Sequence, residues 1–209
     1  MDKFDLYKQM LVETNKKFNL TTITDSCQID LKHFKDSLTI LPYIKENSKV
    51  LDIGSGPGFP GIPLRIEKDF DLTLIDSVNK KVNFMNQVIE ALELDKTKAI
   101  HTRAEDFAKD HRQEFDFVVS RAVANLSTLL ELSLPFLKVG GIFIAMKGPK
   151  AKEEIDQAQN ALKILGGSLV KVDQINLCGN QRNNILIKKI HQTSKKYPRG
   201  KNLPKKEPL

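Results

Sequence analysis

The segment VLDIGSGPGFPGIPLR, at residues 50–65, decides the fold of this chain. It opens with Val50, Leu51 and Ile53, which are apolar or β-branched and are typical of a buried strand in a parallel sheet. Three glycines follow at every second position: Gly54, Gly56 and Gly58. Residues without a Cβ let the backbone turn sharply and lie close to a bound ligand. The segment therefore predicts a strand, a ligand-binding loop and a helix.

The glycine spacing favours one class of ligand over another. A dinucleotide fingerprint requires G-x-G-x-x-G, but here the third glycine falls one residue early and Phe59 stands where a small residue is needed. An acidic residue followed by G-x-G-x-G instead resembles the first motif of class I S-adenosylmethionine methyltransferases. A strand-end carboxylate, Asp52, suits the cationic ammonium group of that ligand. We expect Asp52, Gly54, Gly56 and Gly58 to bind the cofactor.

Asp76 ends the second predicted strand and lies 20 residues after Gly56. In Rossmann-like folds, an acidic residue at this separation reaches the ribose diol of a ligand bound over the first loop. Its negative charge would also repel a 2′-phosphate, which disfavours NADP. We expect Asp76 to accept hydrogen bonds from the ribose hydroxyls, with a strand-end turn as the structural alternative.

Strand and helix patterns alternate along most of the remaining chain. Two amphipathic helices come first, and seven strands are predicted at residues 50–53, 72–75, 99–102, 115–119, 142–146, 170–177 and 184–190. Helices between the first five strands predict a Rossmann-like α/β fold, a three-layer α/β/α sandwich with a seven-stranded sheet. We expect an N-terminal helical extension (1–45), a methyltransferase domain (46–190) and a basic C-terminal tail (191–209).

Composition limits the other functions. The 209 residues are 40% hydrophobic, which is enough for one α/β domain with a sizeable core. No apolar run approaches the ~20 residues that a membrane helix needs. Cys27 and Cys178 lie far apart, and the four histidines show no metal-ligand spacing. We expect a cytoplasmic monomer with no metal ion and no membrane contact.

The net charge of +7 is concentrated at the C-terminus. Residues 188–209 hold eight Lys or Arg against Glu207 alone, so the rest of the chain is neutral overall. Several prolines predict an extended tail with little helix. Such a tail is either a solvated segment or a contact for a polyanion. Tyr197 would then stack on a base or, alternatively, anchor the tail to the protein body.

Six segments are similar to the small-subunit ribosomal RNA methyltransferase G family, also called glucose-inhibited division protein B. They are NKKFNLTTITD (15–25), KHFKDSL (32–38), LDIGSGPGFPGIPL (51–64), SRAVA (120–124), GGIFIAMKG (140–148) and KKYPRGKNLPKKEPL (195–209). The resemblance implies methylation of guanine N7 in the 530 loop of 16S rRNA, at the position usually numbered 527. It also implies S-adenosyl-L-methionine as cofactor, with contacts at Gly54, Phe59, Ala104, Glu105 and Arg121. For Glu105 the alternative is an exposed residue in the first turn of a helix, favoured by the helix dipole.

The implied reaction needs little from the protein in the way of acid–base chemistry. Guanine N7 has an in-plane lone pair and no proton to lose, so the rate should come from alignment and exclusion of water. Arg121, at the end of the fourth strand, is expected to position the guanine, a phosphate or the cofactor, with a structural salt bridge as the alternative.

Two other functions remain open from the sequence. They are a nicotinamide-dependent oxidoreductase with the same fold and a non-catalytic RNA-binding protein. The sequence also does not distinguish naked 16S rRNA from an assembled 30S particle as the substrate.

Overall fold

Seven strands alternate with helices in the computed structural model, which describes residues 2–121 and 123–209. Ala122, in the SRAVA segment, lies outside the described residues. The strands are β1 (Lys49–Ile53), β2 (Asp71–Asp76), β3 (Thr97–His101), β4 (Phe115–Arg121), β5 (Leu137–Lys147), β6 (Gly167–Leu177) and β7 (Asn180–Lys189). They form one mixed sheet in the order β3-β2-β1-β4-β5-β7-β6.

The α-helices are mostly short. They are α1 (Lys3–Asn15), α2 (Ser26–Ile29), α3 (Asp36–Leu38), α4 (Gly61–Glu67), α5 (Asn79–Ala91), α6 (Ala104–Phe107), α7 (Leu126–Ser133), α8 (Ala151–Gln157), α9 (Gln159–Leu165) and α10 (Leu203–Lys206). A π-helical turn, Asp30–Lys35, connects α2 to α3. Within the described residues, no helix is long and apolar enough to cross a bilayer.

The chain divides into two compact units, Met1–His101 and Thr102–Leu209. In the first unit, β1, β2 and β3 pair in parallel, with Val50 opposite Leu72 and Leu72 opposite Thr97. Residues 50–53 are all buried, as the apolar side chains of Val50, Leu51 and Ile53 predict. The parallel arrangement brings the carboxyl ends of β1 and β2 to one edge of the sheet, where the glycine loop and Asp76 lie.

In the second unit, β4 and β5 are parallel, whereas β7 and β6 add to β5 as an antiparallel hairpin. Helix α9 ends at Leu165, and Gly166, with a φ of 80°, provides the left-handed cap that the Gly166-Gly167 pair predicts. Helix α7 stops at Ser133, because Pro135 follows in a 3-10 turn and β5 begins at Leu137.

Lys189, counted with the basic tail in the sequence, lies in β7 and is completely buried. Its Nζ donates hydrogen bonds to the carbonyl oxygens of Leu134 (2.7 Å) and Leu137 (2.8 Å). Burial, and secondarily the charge of Arg112, lower the pKa of Lys189 to about 8. This lysine is therefore a structural group and is not available to an external polyanion.

Candidate cofactor-binding site

The loop between β1 and α4 uses its glycines in different ways. Gly54, Gly56 and Gly58 all have positive φ angles, 67°, 59° and 110°. A Cβ on Gly58 would lie 2.5 Å from Ile62 Cδ1 and 2.7 Å from the Tyr7 hydroxyl. A Cβ on Gly56 would have no heavy atom of the described residues within 4 Å. Gly58 therefore permits close packing, while Gly56 borders the open space in which a ligand has room to lie.

Asp76 is brought to the glycine loop, as its spacing from Gly56 predicts. Its Oδ2 accepts a hydrogen bond from the Gly56 N–H at 2.9 Å, and Oδ1 accepts one from the Val78 N–H at 2.8 Å. The carboxylate thus holds the loop and the turn after β2. Each oxygen has a second lone pair, so these backbone contacts are compatible with the predicted ribose contacts.

Asp52 lies near the end of β1 and is completely buried. Its Oδ2 accepts a hydrogen bond from the Gly61 N–H at 2.8 Å, at the beginning of α4. A Cβ on Gly61 would lie only 2.9 Å from the same oxygen, which explains the glycine at that position. Asp52 therefore joins the end of the strand to the start of the helix on the two sides of the glycine loop.

Phe59 packs in an aromatic cluster that belongs to the first unit. Its ring stacks on His33 with centroids 4.4 Å apart and on Tyr7 with centroids 5.4 Å apart. The Tyr7 hydroxyl also donates a hydrogen bond to the Pro57 carbonyl oxygen at 2.6 Å. The glycine loop is thus held by α1 and by the π-helical turn.

Sequence reasoning did not assign Tyr7 or His33 to the loop. Tyr7 lies in the first predicted amphipathic helix, and His33 lies in the KHFKDSL segment. Neither pattern predicts a contact with Phe59. The two rings come from positions far from Phe59 in the chain.

Ala104 and Glu105 open helix α6 in the second unit, directly after Arg103. Ala104 is buried, and the Glu105 side chain is 11% exposed, so Glu105 is not a freely solvated first-turn residue. Arg103 Nη2 lies 3.4 Å from Glu105 Oε1 and 3.2 Å from Asn202 Oδ1. The C-terminal residues therefore contact the segment that precedes the two predicted cofactor contacts.

Arg121 is half-buried at the end of β4, where the sequence places it. The chain then enters α7, which is capped by Asn125 Oδ1 accepting from the Thr128 N–H at 2.9 Å. As a β4 terminus, Arg121 occupies the kind of position from which open α/β sheets present reactive groups.

A partly buried ion pair holds the chain at Ala124 and Leu126, after β4, and sequence reasoning missed it. Lys147 Nζ lies 2.7 Å from Glu154 Oε2 and donates a short hydrogen bond to the Ala124 carbonyl oxygen. Glu154 Oε2 also accepts from the Leu126 N–H at 2.7 Å. Because Lys147 is buried, it positions this loop and is not a surface cation. No cluster of three metal-ligating side chains occurs among the residues described.

Comparison with known proteins identifies a matching family. The family model described as rRNA small subunit methyltransferase G (GidB) matches residues 1–186. A protein named ribosomal RNA small subunit methyltransferase G from Desulforamulus reducens is 46% identical, covering 99% of this chain and 89% of its own. The protein of that name from Acetivibrio thermocellus is 47% identical, covering 100% of this chain and 88% of its own.

Solved structures resemble the chain at the level of the fold. TYW2 from M. jannaschii, crystallised with AdoMet, superposes with a TM-score of 0.62 at 16% identity, over 76% of each chain. A putative S-adenosyl-L-methionine-dependent methyltransferase from Methanococcus maripaludis has a TM-score of 0.61 at 19% identity, over 88% of this chain and 93% of its own. These similarities confirm the predicted Rossmann-like α/β fold with its seven-stranded sheet.

Proposed function

Because the chain belongs to the rRNA small subunit methyltransferase G (GidB) family, we propose that it methylates guanine N7 in the 530 loop of 16S rRNA. Membership of the family makes it an S-adenosylmethionine-dependent methyltransferase of small-subunit rRNA. The atom, and the position usually numbered 527, are proposed from the family resemblance of the motifs. The alternatives of a nicotinamide oxidoreductase and a non-catalytic RNA-binding protein receive no support from the comparisons.

The arrangement of Gly56 and Asp76 is the observation that carries the cofactor assignment. The Cβ direction of Gly56 is open, and the Asp76 carboxylate bonded to the Gly56 N–H retains lone pairs for hydroxyl donors. A ribose diol is the matching donor group. These residues therefore fit S-adenosylmethionine, which when bound supplies an electrophilic methyl group.

We propose two kinds of role for the other predicted contacts: some face the ligand and others hold the shape of the loop. Gly54 and Gly56 present backbone to the ligand, while Gly58, Asp52 and Phe59 hold the loop in shape through Ile62, Gly61 and the aromatic cluster. We propose Ala104 and Glu105 as further cofactor contacts on the basis of the family resemblance.

The protein's part in the reaction is to bind and align. No residue is needed to remove a proton from guanine N7, because its lone pair is already free. We propose that Arg121 mainly positions the substrate through its guanidinium, which suits both guanine O6 and phosphate oxygens, and that its contact with the cofactor, implied by the family resemblance, is secondary. Lys147 and Glu154 fix the loop that follows Arg121 through Ala124 and Leu126.

We further propose that the chain acts in the cytoplasm as a monomer.

The test of guanine N7 methylation offers naked 16S rRNA and 30S particles separately to the protein, each with methyl-labelled S-adenosylmethionine. N7-methylguanine is then located by borohydride reduction and aniline cleavage, which is expected to cut at one guanine of the 530 loop. Label without cleavage would show methylation at a different atom and overturn the assignment. Arg121→Ala should lower kcat much more than it changes affinity for S-adenosylhomocysteine, and Arg121→Lys should recover part of the rate.

A further inference from the structure

The C-terminal segment, defined here as residues 191–209, carries six cationic side chains against Glu207. Five of them are exposed lysines: Lys195, Lys196, Lys201, Lys205 and Lys206. Among the described residues, no carboxylate forms an ion pair with any of these five lysines. A set of unneutralised cations on one short segment is an electrostatic footprint for a polyanion.

The backbone of this segment is held by Arg112. Its guanidinium donates to the carbonyl oxygens of Tyr197 (2.6 Å), Thr193 (2.9 Å) and Ser194 (3.3 Å). Tyr197 and Thr193 are buried. Tyr197 therefore anchors the segment to the protein body, and the alternative in which it stacks on a base is wrong.

A buried ion pair makes a second anchor. Glu131 is 0% exposed and accepts hydrogen bonds from the backbone N–H of Arg199 at 2.8 Å and from its Nη2 at 2.7 Å. The bond to Glu131 raises the pKa of the Arg199 guanidinium. Thr128 Oγ1 holds the next part of the segment through the Pro204 carbonyl oxygen at 2.8 Å. The charge of Arg199 is consequently neutralised by a buried carboxylate, which leaves the exposed lysines as the unpaired cations of the segment within the described part of the chain.

The same segment reaches the start of α6. Asn202 Oδ1 accepts a hydrogen bond from Arg103, the residue before Ala104. Lys201 and Asn202 both have left-handed backbone angles, with φ of 56° and 61°. The Leu203 N–H donates a hydrogen bond to the Gly200 carbonyl oxygen at 3.1 Å, which closes the turn formed by these two residues. The exposed lysines thus project from a backbone of defined shape beside a proposed cofactor-contacting segment.

We propose that these five lysines form a preorganised surface that binds the phosphate backbone of the rRNA substrate. This inference deepens the proposed function and rests on it for the identity of the RNA. The anchors by Arg112 and Glu131 reduce the ordering cost that a free tail would meet on binding. The surface recognises the shape and charge of the backbone and makes no base-specific contact.

The first test compares two fivefold variants in RNA binding at several salt concentrations. One changes all five lysines of the surface to Ala. The matched control changes five other exposed lysines to Ala: Lys45, Lys98, Lys152, Lys163 and Lys188. The probes are a transcript of the 530-loop hairpin and an unrelated duplex RNA of equal length.

The surface variant should flatten the plot of log affinity against log salt by about 0.7 to 0.9 for each phosphate that a lysine had neutralised, with both probes. It should raise KM for RNA more than it lowers kcat, and affinity for S-adenosylhomocysteine should stay at the wild-type value. Equal slopes for wild type and the surface variant, or equal effects of the two variants, would overturn the inference.

The second test loosens the segment and keeps all five lysines. Glu131→Gln removes the charge that holds Arg199, and circular dichroism reports whether the variant is folded. Weaker RNA binding with an almost unchanged salt slope would support a preorganised surface. Wild-type affinity in a folded variant would show that the anchors do not contribute to binding. If the variant is unfolded, Thr128→Val, which removes only the hydrogen bond to the Pro204 carbonyl oxygen, is measured in its place with the same two outcomes.

The outcomes separate this surface from the proposed function. Lysine-dependent salt slopes without methyl transfer to 16S rRNA would support the surface and overturn the function. Methyl transfer with equal salt slopes for wild type and the surface variant would support the function and overturn the surface. Vesicles containing phosphatidylglycerol provide the last comparison: lysine-dependent vesicle binding with no change in RNA slope would overturn the RNA assignment in favour of an anionic membrane.

Discussion

Replacing Gly56 or Gly58 by Ala separates ligand contact from packing in the same loop. In Gly58→Ala the added methyl meets Ile62 at 2.5 Å and the Tyr7 hydroxyl at 2.7 Å. Overpacking costs about 1 to 3 kcal/mol and the positive φ roughly 1 to 2 kcal/mol more, so the free energy of unfolding should fall by ~2 to 5 kcal/mol. In Gly56→Ala only the backbone cost of ~1 to 2 kcal/mol applies, because the methyl enters open space.

The two variants should rank differently in cofactor binding than they do in stability. The Gly56 methyl occupies space assigned to the ligand, so affinity for S-adenosylhomocysteine should fall by about tenfold or more, which is roughly 1.4 kcal/mol or more. Urea denaturation measures the stability of each variant, and titration calorimetry measures ligand binding. A folded Gly56→Ala protein with wild-type affinity would refute the assignment of this loop to the cofactor. Equal losses of stability in the two variants would refute the steric reasoning.

Three further outcomes are expected. Asp76→Ala should weaken S-adenosylhomocysteine binding by ~1.5 to 3 kcal/mol, the scale of charge-assisted hydrogen bonds; an unchanged Kd in calorimetry would place the ribose elsewhere. Glu154→Gln leaves the buried Lys147 without its counter-ion, and should lower the unfolding free energy by about 1 to 3 kcal/mol and reduce kcat while cofactor affinity is retained; a wild-type kcat in rapid-quench assays would mean that this loop does not position substrate. The pKa of Lys189 is about 8 in the folded protein and near 10.5 in the unfolded chain, so between these values the unfolded state binds more protons. The free energy of unfolding should therefore rise with pH across this range, by at most ~3 kcal/mol, relative to that of Lys189→Met. Parallel pH profiles of the two proteins in denaturant would contradict the buried-lysine assignment.

The sequence was sufficient for the features that depend on local pattern and fixed spacing. Buried strands, a glycine loop and Asp76 are encoded by residues whose separation is set by one strand–helix–strand unit. The length of that unit determines which strand ends meet, so the contact between Asp76 and Gly56 could be predicted without coordinates. The left-handed cap at Gly166 was predictable for the same local reason.

The tertiary structure alone decided how charges and rings are used. Lys147 and Lys189 read as ordinary cations in the sequence, yet both are buried and bonded to carbonyl oxygens. Tyr197 and Arg199 were equally compatible with RNA contact until Arg112 and Glu131 were seen to hold them. Periodicity indicates which face of an element is buried but not which distant residue will meet it. Such contacts join positions up to 99 residues apart, and only the packing of the folded chain selects them.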